Sequence, residues 1–444
     1  MARPIAVDLF AGAGGMTLGF EQAGFDVVAA VEVDPIHAAV HSFNFPNSSV
    51  MCRDVTQVTG DEIRLAAGIG TGKVDVVIGG APCQGFSLIG HRALDDPRNQ
   101  LVRHFVRIVC ELDASHFVFE NVKGLTVGRH RAILEELVTE LKGCGYNVRL
   151  PWRVLNAAHF GAPQDRQRLF LLGSKKGLGL ATYPDEAYRP AGSPRTLAGL
   201  PEGPSCADAL DDLPDAEKYA ALRESDEIEL RKDAWARPSA YARELRCLSN
   251  DAWHFGHPRE WNPVLFSSSL RSEHTAISRR RFASTDSGEV EPISRLFKLP
   301  AEGVSNTLRA GTDAARGAFT SPRPIHHRYD RLVTVREMAR LHGFPDWFRF
   351  HMTKWHGARQ IGNSVPPPLA RAIATAVIEA LGVTPVRPSK AIALGADELL
   401  RMNMQEASTA WGIVSPISKR DRKSGAHKRK QHEIERSQSR VVLA

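Results

Sequence analysis

Two short apolar runs constrain the fold of this chain most strongly. VDVVIG at 74–79 and HFVFE at 116–120 lack the polar alternation of a half-exposed strand. Such runs are typical of strands that are covered by helices on both faces of a parallel sheet. Similar candidate strands lie at 5–10, 26–31 and 169–173, with helical stretches between them. The alternation predicts an α/β fold with a doubly wound, mostly parallel sheet.

The chain changes in character after this part. Residues 174–330 hold scattered Pro, Gly, Ser and Arg with weak periodicity, which indicates a second, smaller, loop-rich lobe. Helices are expected again at 334–348 and at 367–382, where proline starts the second helix and glycine follows it. We therefore divide the chain into a first part at 1–173, the lobe at 174–330, a return segment at 331–384 and a peripheral extension at 385–444.

The positive charge of the chain is concentrated near its end. Lys and Arg exceed Asp and Glu by 57 to 50, and positions 419–440 alone hold nine basic and three acidic residues. The rest of the chain has a net charge close to zero, so any affinity of this part for a polyanion requires local patches of basic residues. The basic tail is expected to be disordered, and it either adds nonspecific attraction to nucleic acid or is a solvated segment with no role.

Several classes of protein are disfavoured by the composition. No apolar run reaches about 18 residues, so no membrane span is expected. The N-terminus MARPIAVDLFAG enters a strand-like run at once, without the regions of a signal peptide, and we expect a cytoplasmic protein. The six cysteines form no Cys-x-x-Cys pair, so neither a zinc site nor a redox dithiol is indicated and no metal is expected.

The stretch DLFAGAGGMTLGF has the form of a strand, a glycine-rich turn and a helix. Phe10 ends the strand, and Gly12 and Gly14 permit a tight turn at which a nucleotide-like ligand can approach the backbone. The dinucleotide fingerprint needs glycine where Thr17 stands, which argues against NAD. Glu32 lies 20 residues after Gly12, where an acid binds ribose hydroxyls. The pattern predicts a site for an adenosine without pyrophosphate, with a purely structural turn as the alternative.

A cysteine follows the next buried strand, in the stretch GGAPCQGFS. Cys83 stands in the loop that leaves the carboxyl end of the 74–79 strand, where ligands bind in open α/β sheets. A thiolate is a strong, soft nucleophile that suits attack on an electron-poor conjugated carbon. The position predicts a nucleophilic cysteine, and a buried structural cysteine is the alternative.

Two further strand ends carry charged side chains. Glu120 closes the 116–120 strand and can face the same cleft as Cys83, where a partly desolvated carboxyl holds or donates a proton. A helix cap or a loop acid is the alternative. Arg166 and Arg168 alternate along an extended segment and so project to one side, where two guanidiniums suit a carbonyl oxygen or a phosphate. Ordinary surface arginines are the alternative for this pair.

Taken together and in this order, these stretches resemble the motifs of the DNA cytosine-5 methyltransferase family. The resemblance covers the first 173 residues and 306–382. It includes DLFAGAGG, VEVD, CRDV, APCQGFS, ENV, QDRQR, NTLRAG and IGNSVPPPLA. It implies a class I S-adenosylmethionine-dependent methyltransferase fold, Rossmann-like, with a target-recognition domain in the variable lobe.

The resemblance implies S-adenosylmethionine as the methyl donor and no metal. In the family, the last of these motifs packs beside the first and completes the cofactor pocket. The cofactor-binding residues that the resemblance implies are Phe10, Gly12, Gly14, Glu32, Val33, Asp54, Val55, Pro82, Asn363 and Val365. Val33 stands where many relatives carry an aromatic residue that stacks on adenine, so weaker cofactor binding is expected.

The resemblance also implies a covalent mechanism on cytosine in double-stranded DNA. The Cys83 thiolate adds to C6, Glu120 holds or protonates N3, and Arg166 and Arg168 stabilise the O2 side and orient the pocket. C5 then takes the methyl group, loses its proton, and Cys83 leaves. The target base must be flipped out of the duplex, because this chemistry cannot occur inside a stacked helix.

Contacts with DNA are implied for the loop around Cys83 and for the end of the lobe. The expected residues are Gln84, Ser87, Arg98, Thr307 and Leu308. Arg271 and the cluster 279–281 either contact phosphates or form a solvated face. A cognate restriction endonuclease that acts on the same site is the expected partner system, and the chain is expected to act as a monomer.

Two alternatives stay open from the sequence. One is a relative of the same family that methylates cytosine in tRNA, although the Cys-Phe-Thr element of that subgroup is not found. The other is a DNA-binding relative that has lost catalysis. Intact Cys83, Glu120 and both arginines argue against it.

Overall fold

The computed structural model describes residues 3–82, 99–194, 199–249, 251–311 and 321–415. The strands in these ranges are β1 (Ile5–Leu9), β2 (Asp26–Glu32), β3 (Ser49–Cys52), β4 (Val76–Gly79), β5 (His116–Val122), β6 (Tyr146–Val148), β7 (Arg153–Asn156), β8 (Gln167–Lys175), β9 (Ile228–Glu229), β10 (Arg259–Glu260), β11 (Leu265–Phe266) and β12 (Ile392–Ala393). The α-helices are α1 (Gly15–Ala23), α2 (Pro35–Asn44), α3 (Gly60–Ala66), α4 (Gln100–Glu111), α5 (Arg131–Gly143), α6 (Cys206–Leu210), α7 (Ala240–Leu245), α8 (Ala276–Ser284), α9 (Val335–His342), α10 (Lys354–Asn363), α11 (Pro367–Leu381) and α12 (Met404–Ala410).

The largest sheet in the described ranges has eight strands. Their order is β3-β2-β1-β4-β5-β8-β6, and β7 pairs with β8. Neighbours among the first five strands are parallel, whereas β8 runs antiparallel to β5, β6 and β7. The predicted doubly wound, mostly parallel α/β sheet is therefore confirmed.

The buried runs supply side chains to both faces of this sheet, which explains their missing polar alternation. Val77 and Phe117 belong to a core shared with α4 and α5. Val76, Ile78 and Val118 belong to a second core shared with α1 and α11. All five side chains are fully buried. Apolar burial of about 25 cal/mol per Å² thus stabilises the sheet from both sides.

The helix expected at 334–348 is shorter than predicted. α9 begins after a capping box in which the side chains of Thr334 and Glu337 bind each other's backbone N–H groups. It ends at His342, because Gly343 adopts a left-handed φ of 88° and closes the helix. The expectation of helix through 348 is wrong at that end. α11 matches its prediction, with Gly382 after its last residue.

In the described parts of 174–330 the helices and strands are short, and this stretch shares a core with the return segment. Phe266 of β11 packs in one cluster with Met338 of α9. The fully buried Arg340 of α9 pairs with Asp212 at 3.0 Å and with Asp346 at 2.6 Å. These contacts fix the lobe beside the sheet. None of the helices in the described ranges is long and apolar enough to cross a bilayer.

Candidate active site

Six of the predicted site residues lie at one edge of the large sheet. The first five strands are parallel, so their carboxyl ends meet at this edge, and the antiparallel β8 begins there. Side chains at or just after these strand ends are Phe10, Glu32, Asp54, Pro82, Glu120 and, at the start of β8, Arg168.

The turn after β1 leaves room for a ligand. Phe10, Gly12 and Gly14 adopt positive φ angles of 59°, 55° and 104°. A Cβ at Gly14 would lie 2.3 Å from the ring of Phe45, so packing requires glycine there. Nothing in the described chain lies within 4 Å of the position of a Cβ at Gly12. The open side of the turn therefore allows a ligand to approach the backbone.

The segment that precedes and begins α11 packs against this turn. A Cβ at Gly15 would lie 2.4 Å from the carbonyl oxygen of Val365, and Gly19 contacts Ala370 in the same way one helical turn further on. Val365 is buried, and Asn363 at the end of α10 is exposed. The expected placement of this last motif beside the first one is confirmed.

Glu32 links the turn to the start of α2. Its Oε2 accepts a hydrogen bond from the N–H of Gly12 and its Oε1 accepts one from the N–H of Asp34, both at 2.8 Å. Burial raises the pKa of this carboxyl. Each oxygen can accept a further hydrogen bond, so Glu32 is suited to bind ribose hydroxyls. The neighbouring Val33 is 56% exposed, as a side chain is when it borders an open site.

The residues after β3 combine a polar and an apolar group. Asp54 is exposed, and its Oδ1 accepts a hydrogen bond from the N–H of Thr56 at 2.9 Å. Val55 is buried beside it. A carboxylate next to an apolar side chain is suited to a flat ring that carries an amino group, which is the chemistry of adenine.

A buried carboxyl beneath the turn was not predicted. Asp8 in β1 is 1% exposed and accepts a hydrogen bond from Thr17 Oγ1 at 2.6 Å. Burial raises the pKa of Asp8 to about 7, and the nearby carboxylate of Glu32 adds to the rise. Thr17, which stands where the dinucleotide fingerprint has glycine, thus has a structural role as the hydrogen-bond donor to Asp8. The signal for this buried carboxyl in the sequence was the charged Asp8 within the apolar strand IAVDL.

Asp8→Asn is expected to make the free energy of unfolding less sensitive to a rise in pH. The unfolded carboxyl titrates near pH 4 and the folded one near pH 7, so between these values the folded chain holds one more proton. The contribution of Asp8 to stability is present below about pH 4 and is lost on the way to about pH 7. In urea unfolding, the wild-type midpoint should fall more than that of the variant between about pH 5 and about pH 8. An equal fall in both proteins would contradict this.

Glu120 and Arg168 form an ion pair at the end of β5. Arg168 Nε lies 3.0 Å from Glu120 Oε1, and the side chains are 13% and 11% exposed. Burial raises the pKa of the Glu120 carboxyl, although Arg168 and Arg166 act in the opposite direction. Burial therefore favours the protonated form of this carboxyl, and the two guanidiniums favour its ionised form.

Two contacts tie the end of β5 to the chain that leads to Cys83. A Cβ at Gly80 would lie 2.6 Å from Glu120 Oε2, so glycine provides the space that the carboxylate occupies. Asn121 Nδ2 donates a hydrogen bond to the carbonyl oxygen of Ala81 at 2.8 Å. One residue further on, the described range ends.

Four predicted residues lie outside the described residues, and their roles stay predictions. They are Cys83, Gln84, Ser87 and Arg98. Pro82, the residue before them, is exposed. The path from Gly79 to Pro82 therefore leads out of the sheet toward the surface at the edge where Glu120 lies.

Arg166 is fully buried and binds backbone. Its guanidinium donates hydrogen bonds to the carbonyl oxygens of Leu308 at 2.9 Å and of Gly362 and Ser364, both at 2.8 Å. Both arginines of QDRQR were predicted to lie in the pocket. From these contacts we assign Arg168 to the pocket and Arg166 to holding three distant segments together.

Gln164 and His342, which the sequence analysis missed, complete this buried junction. Gln164 Nε2 lies 2.9 Å from His342 Nδ1, and Gln164 Oε1 accepts a hydrogen bond from the N–H of Leu308 at 3.2 Å. His342 Nε2 lies 3.1 Å from the carbonyl oxygen of Ser364. Burial lowers the pKa of His342, so the neutral ring accepts at Nδ1 and donates at Nε2. The junction thus connects the end of the lobe to the segment beside the cofactor turn.

Thr307 and Leu308, both predicted to contact DNA, differ in accessibility. Thr307 is half-buried, and its Oγ1 donates a hydrogen bond to the carbonyl oxygen of Asp165 at 2.7 Å. Leu308 is 2% exposed and packs in the core of the lobe. Thr307 is therefore accessible to a ligand in this structure, whereas Leu308 is not.

The arginines proposed for phosphate contacts also differ. Arg271 is buried and donates to the carbonyl oxygen of Glu217, and Arg279 pairs with the side chain of the same residue. Arg281 is half-buried, whereas Arg280 on α8 is exposed. Arg280 is therefore the member of the group that is best placed to meet a phosphate.

A doubly wound sheet with a glycine-rich turn after its first strand and an acidic residue at the end of its second strand is the arrangement of class I S-adenosylmethionine-dependent methyltransferases, and this chain has that fold. The family model described as C-5 cytosine-specific DNA methylase matches residues 5–379. The chain belongs to this family, as its motifs predicted.

Similar proteins agree with this assignment. The chain is 55% identical over 417 residues to the Type II methyltransferase M.XorII of Xanthomonas oryzae pv. oryzae, with 94% of each chain covered. It is 33% identical to the Type II methyltransferase M1.HphI of Haemophilus parahaemolyticus, with 84% of this chain and 86% of the relative covered. A solved structure of a prophage-encoded E. coli protein, named as a DNA modification methyltransferase, superposes with a TM-score of 0.67 at 33% identity, covering 86% of this chain and all of that one.

Proposed function

We propose that this chain transfers a methyl group from S-adenosylmethionine to C5 of cytosine within a specific short sequence of double-stranded DNA. The observation that carries the proposal is the buried pair of Glu120 and Arg168, in contact with the backbone that leads to Cys83. A proton-holding carboxyl and a thiol that follow adjacent parallel strands suit activation of a pyrimidine ring. The names of the relatives support a modification enzyme of a restriction–modification system. We further propose that the chain acts as a monomer and that a cognate endonuclease acts on the same site.

The turn and the strand ends supply the groups that hold the cofactor. When bound, S-adenosylmethionine supplies an electrophilic methyl group. Glu32 binds the ribose hydroxyls, Asp54 accepts a hydrogen bond from the adenine amino group, and Val33 and Val55 contribute apolar surface. The remaining residues that we assign to this pocket are Phe10, Gly12, Gly14, Pro82, Asn363 and Val365. The open space beyond Gly12 is the structural feature that fits such a ligand.

The chemistry follows from three side chains. The Cys83 thiolate adds to C6 of the flipped cytosine, which breaks the C5–C6 double bond and makes C5 nucleophilic. Glu120 holds a proton at N3, so negative charge does not accumulate on the ring. Arg168 orients Glu120 and faces the O2 side. After C5 has taken the methyl group and lost its proton, the thiolate is expelled and the aromatic ring is restored.

Bisulfite sequencing of DNA and of tRNA from cells that express the chain tests the reaction and the target together. One cytosine within a recurring short sequence should resist conversion, and the same cytosine should convert in cells that carry the empty vector. Protection in tRNA but not in DNA would favour the tRNA alternative. Complete conversion of both nucleic acids would contradict the proposal.

Arg280→Ala is expected to weaken the binding of duplex DNA severalfold, whatever its sequence. Loss of one phosphate contact should also reduce the slope of log affinity against log salt by about 1. Arg131→Ala, which removes an exposed arginine of α5, is the matched control. Fluorescence anisotropy titrations at several salt concentrations measure both quantities. Equal effects of the two substitutions would remove Arg280 from the DNA interface.

A further inference from the structure

A segment outside the range matched by the family model packs onto α2 and the glycine-rich turn. It comprises residues 394–411, which we call the brace, and contains the 3-10 helix Asp397–Leu400 and α12. The N–H of Gly395 donates a hydrogen bond to the carbonyl oxygen of Phe43 in α2 at 2.9 Å. A Cβ at Gly395 would lie 2.8 Å from the Cα of Phe43. The brace, which lies in the extension predicted at 385–444, therefore crosses α2 at close range.

Leu400 is the contact of the brace with the glycine-rich turn. It is 2% exposed and forms a small apolar cluster with Ala13, Val40 and Phe43. Ala13 belongs to the turn and follows Gly12 directly. Removal of the Leu400 side chain would leave a cavity behind the turn.

Trp411 is the contact of the brace with the start of α2. Its Nε1 donates a hydrogen bond to the carbonyl oxygen of Pro35 at 3.1 Å. Pro35 is the first residue of α2 and follows Asp34, whose side chain caps the helix. Between these two contacts, the carbonyl oxygen of Met402 lies 3.0 Å from Nε2 of the buried His351, which anchors the brace to the return segment.

The two contacts lie beside the two N–H groups that orient Glu32. The N–H of Gly12 binds one oxygen of its carboxylate and the N–H of Asp34 binds the other. Leu400 packs on the residue after Gly12, and Trp411 binds the residue after Asp34. A shift of either backbone segment would therefore turn the carboxylate of Glu32.

We propose that Leu400 and Trp411 are positioning residues for S-adenosylmethionine, which hold the turn and α2 so that Glu32 is aligned with the ribose. Val33 offers less apolar surface to adenine than an aromatic side chain, so affinity depends more on this alignment. The inference rests on the proposed cofactor site and adds to it a segment that is distant in sequence, since the hydrogen bond of Trp411 to Pro35 spans 376 residues.

Full-length variants test the proposal through binding of S-adenosylhomocysteine, measured by calorimetry without DNA. Leu400→Ala and Trp411→Ala should each raise the Kd about tenfold. Trp411→Phe keeps an aromatic ring but loses the N–H donor, so it should have an intermediate effect. Arg401→Gln is the matched control, because Arg401 belongs to the brace but pairs with Glu227 at 2.9 Å instead of contacting α2. Its Kd should stay within about twofold of wild type.

The KM for S-adenosylmethionine should rise with the Kd, while kcat at saturating cofactor and the Kd for DNA alone stay unchanged. If Leu400→Ala does not fold, Trp411→Phe carries the test, because it removes a single hydrogen bond. Wild-type cofactor affinity in the folded Trp411 variants, or an equal loss of DNA binding and kcat, would overturn the proposal. A wild-type chain that does not bind S-adenosylhomocysteine would instead overturn the proposed function.

Discussion

Cys83→Ser is expected to abolish methyl transfer and to leave DNA binding intact. A serine hydroxyl is not ionised near neutral pH and is a much weaker nucleophile than a thiolate, so C5 of the target cytosine is not activated. The rate should fall on the order of 10⁴-fold or more, the scale that follows loss of a catalytic nucleophile. Transfer of a radiolabelled methyl group to duplex DNA measures the rate, and anisotropy measures the binding.

A duplex with 5-fluorocytosine at the target provides the control for this experiment. Fluorine at C5 cannot leave as a cation in the way that hydrogen leaves as a proton, so the elimination that frees the enzyme is blocked. The wild-type chain should remain joined to the oligonucleotide through the sulfur of Cys83 under denaturing conditions, and the serine variant should not. Methyl transfer by the variant, or the absence of an adduct with wild type and cofactor, would contradict the covalent route.

The sheet is predictable where its strands are long and covered on both faces. The five strands predicted from apolar runs are present, with ends that differ by about two residues or fewer from the expected ones. Three strands of this sheet, β3, β6 and β7, were not predicted, because their sequences SVMC, YNV and RVLN are too short to show a pattern of their own. These strands depend on hydrogen bonds to neighbours that are already in place, which no local pattern encodes.

The candidate site is predictable to the extent that chain direction determines it. Parallel strands bring their carboxyl ends to one edge, so Glu32 and Glu120 could be assigned to a common cleft from the sequence. The partners of the Arg166 guanidinium could not be predicted from the sequence. The carbonyl oxygen of Leu308 is the one among them that is nearest in sequence, and it is 142 residues away. The burial of Leu308 and the hydrogen bond of Trp411 are likewise properties of the folded core rather than of a motif.

Gly80→Ala is expected to lower kcat/KM for methyl transfer about 100-fold in a protein that still folds, the scale of a small misplacement of a catalytic group. The added Cβ would lie 2.6 Å from Glu120 Oε2, which is the end of a flexible side chain. The carboxylate can turn away without moving the backbone, and in doing so it loses its contact with Arg168. Loss of this buried pair should lower the thermal unfolding midpoint but leave the protein folded at the assay temperature. Gly143→Ala, at a position with open space, is the control for adding a methyl group.

A double-mutant cycle distinguishes an effect through Glu120 from an independent effect on the loop that carries Cys83. Glu120→Gln alone should lower kcat/KM about 10²–10⁴-fold, because the amide cannot hold the proton at N3. If Gly80→Ala acts by displacing Glu120, it should have no further effect once Glu120→Gln has removed the function of that carboxyl. The double variant should then be about as slow as Glu120→Gln. If the two losses multiply instead, the glycine serves the path of the chain toward Cys83, and the close approach of Gly80 to the carboxylate has no catalytic consequence.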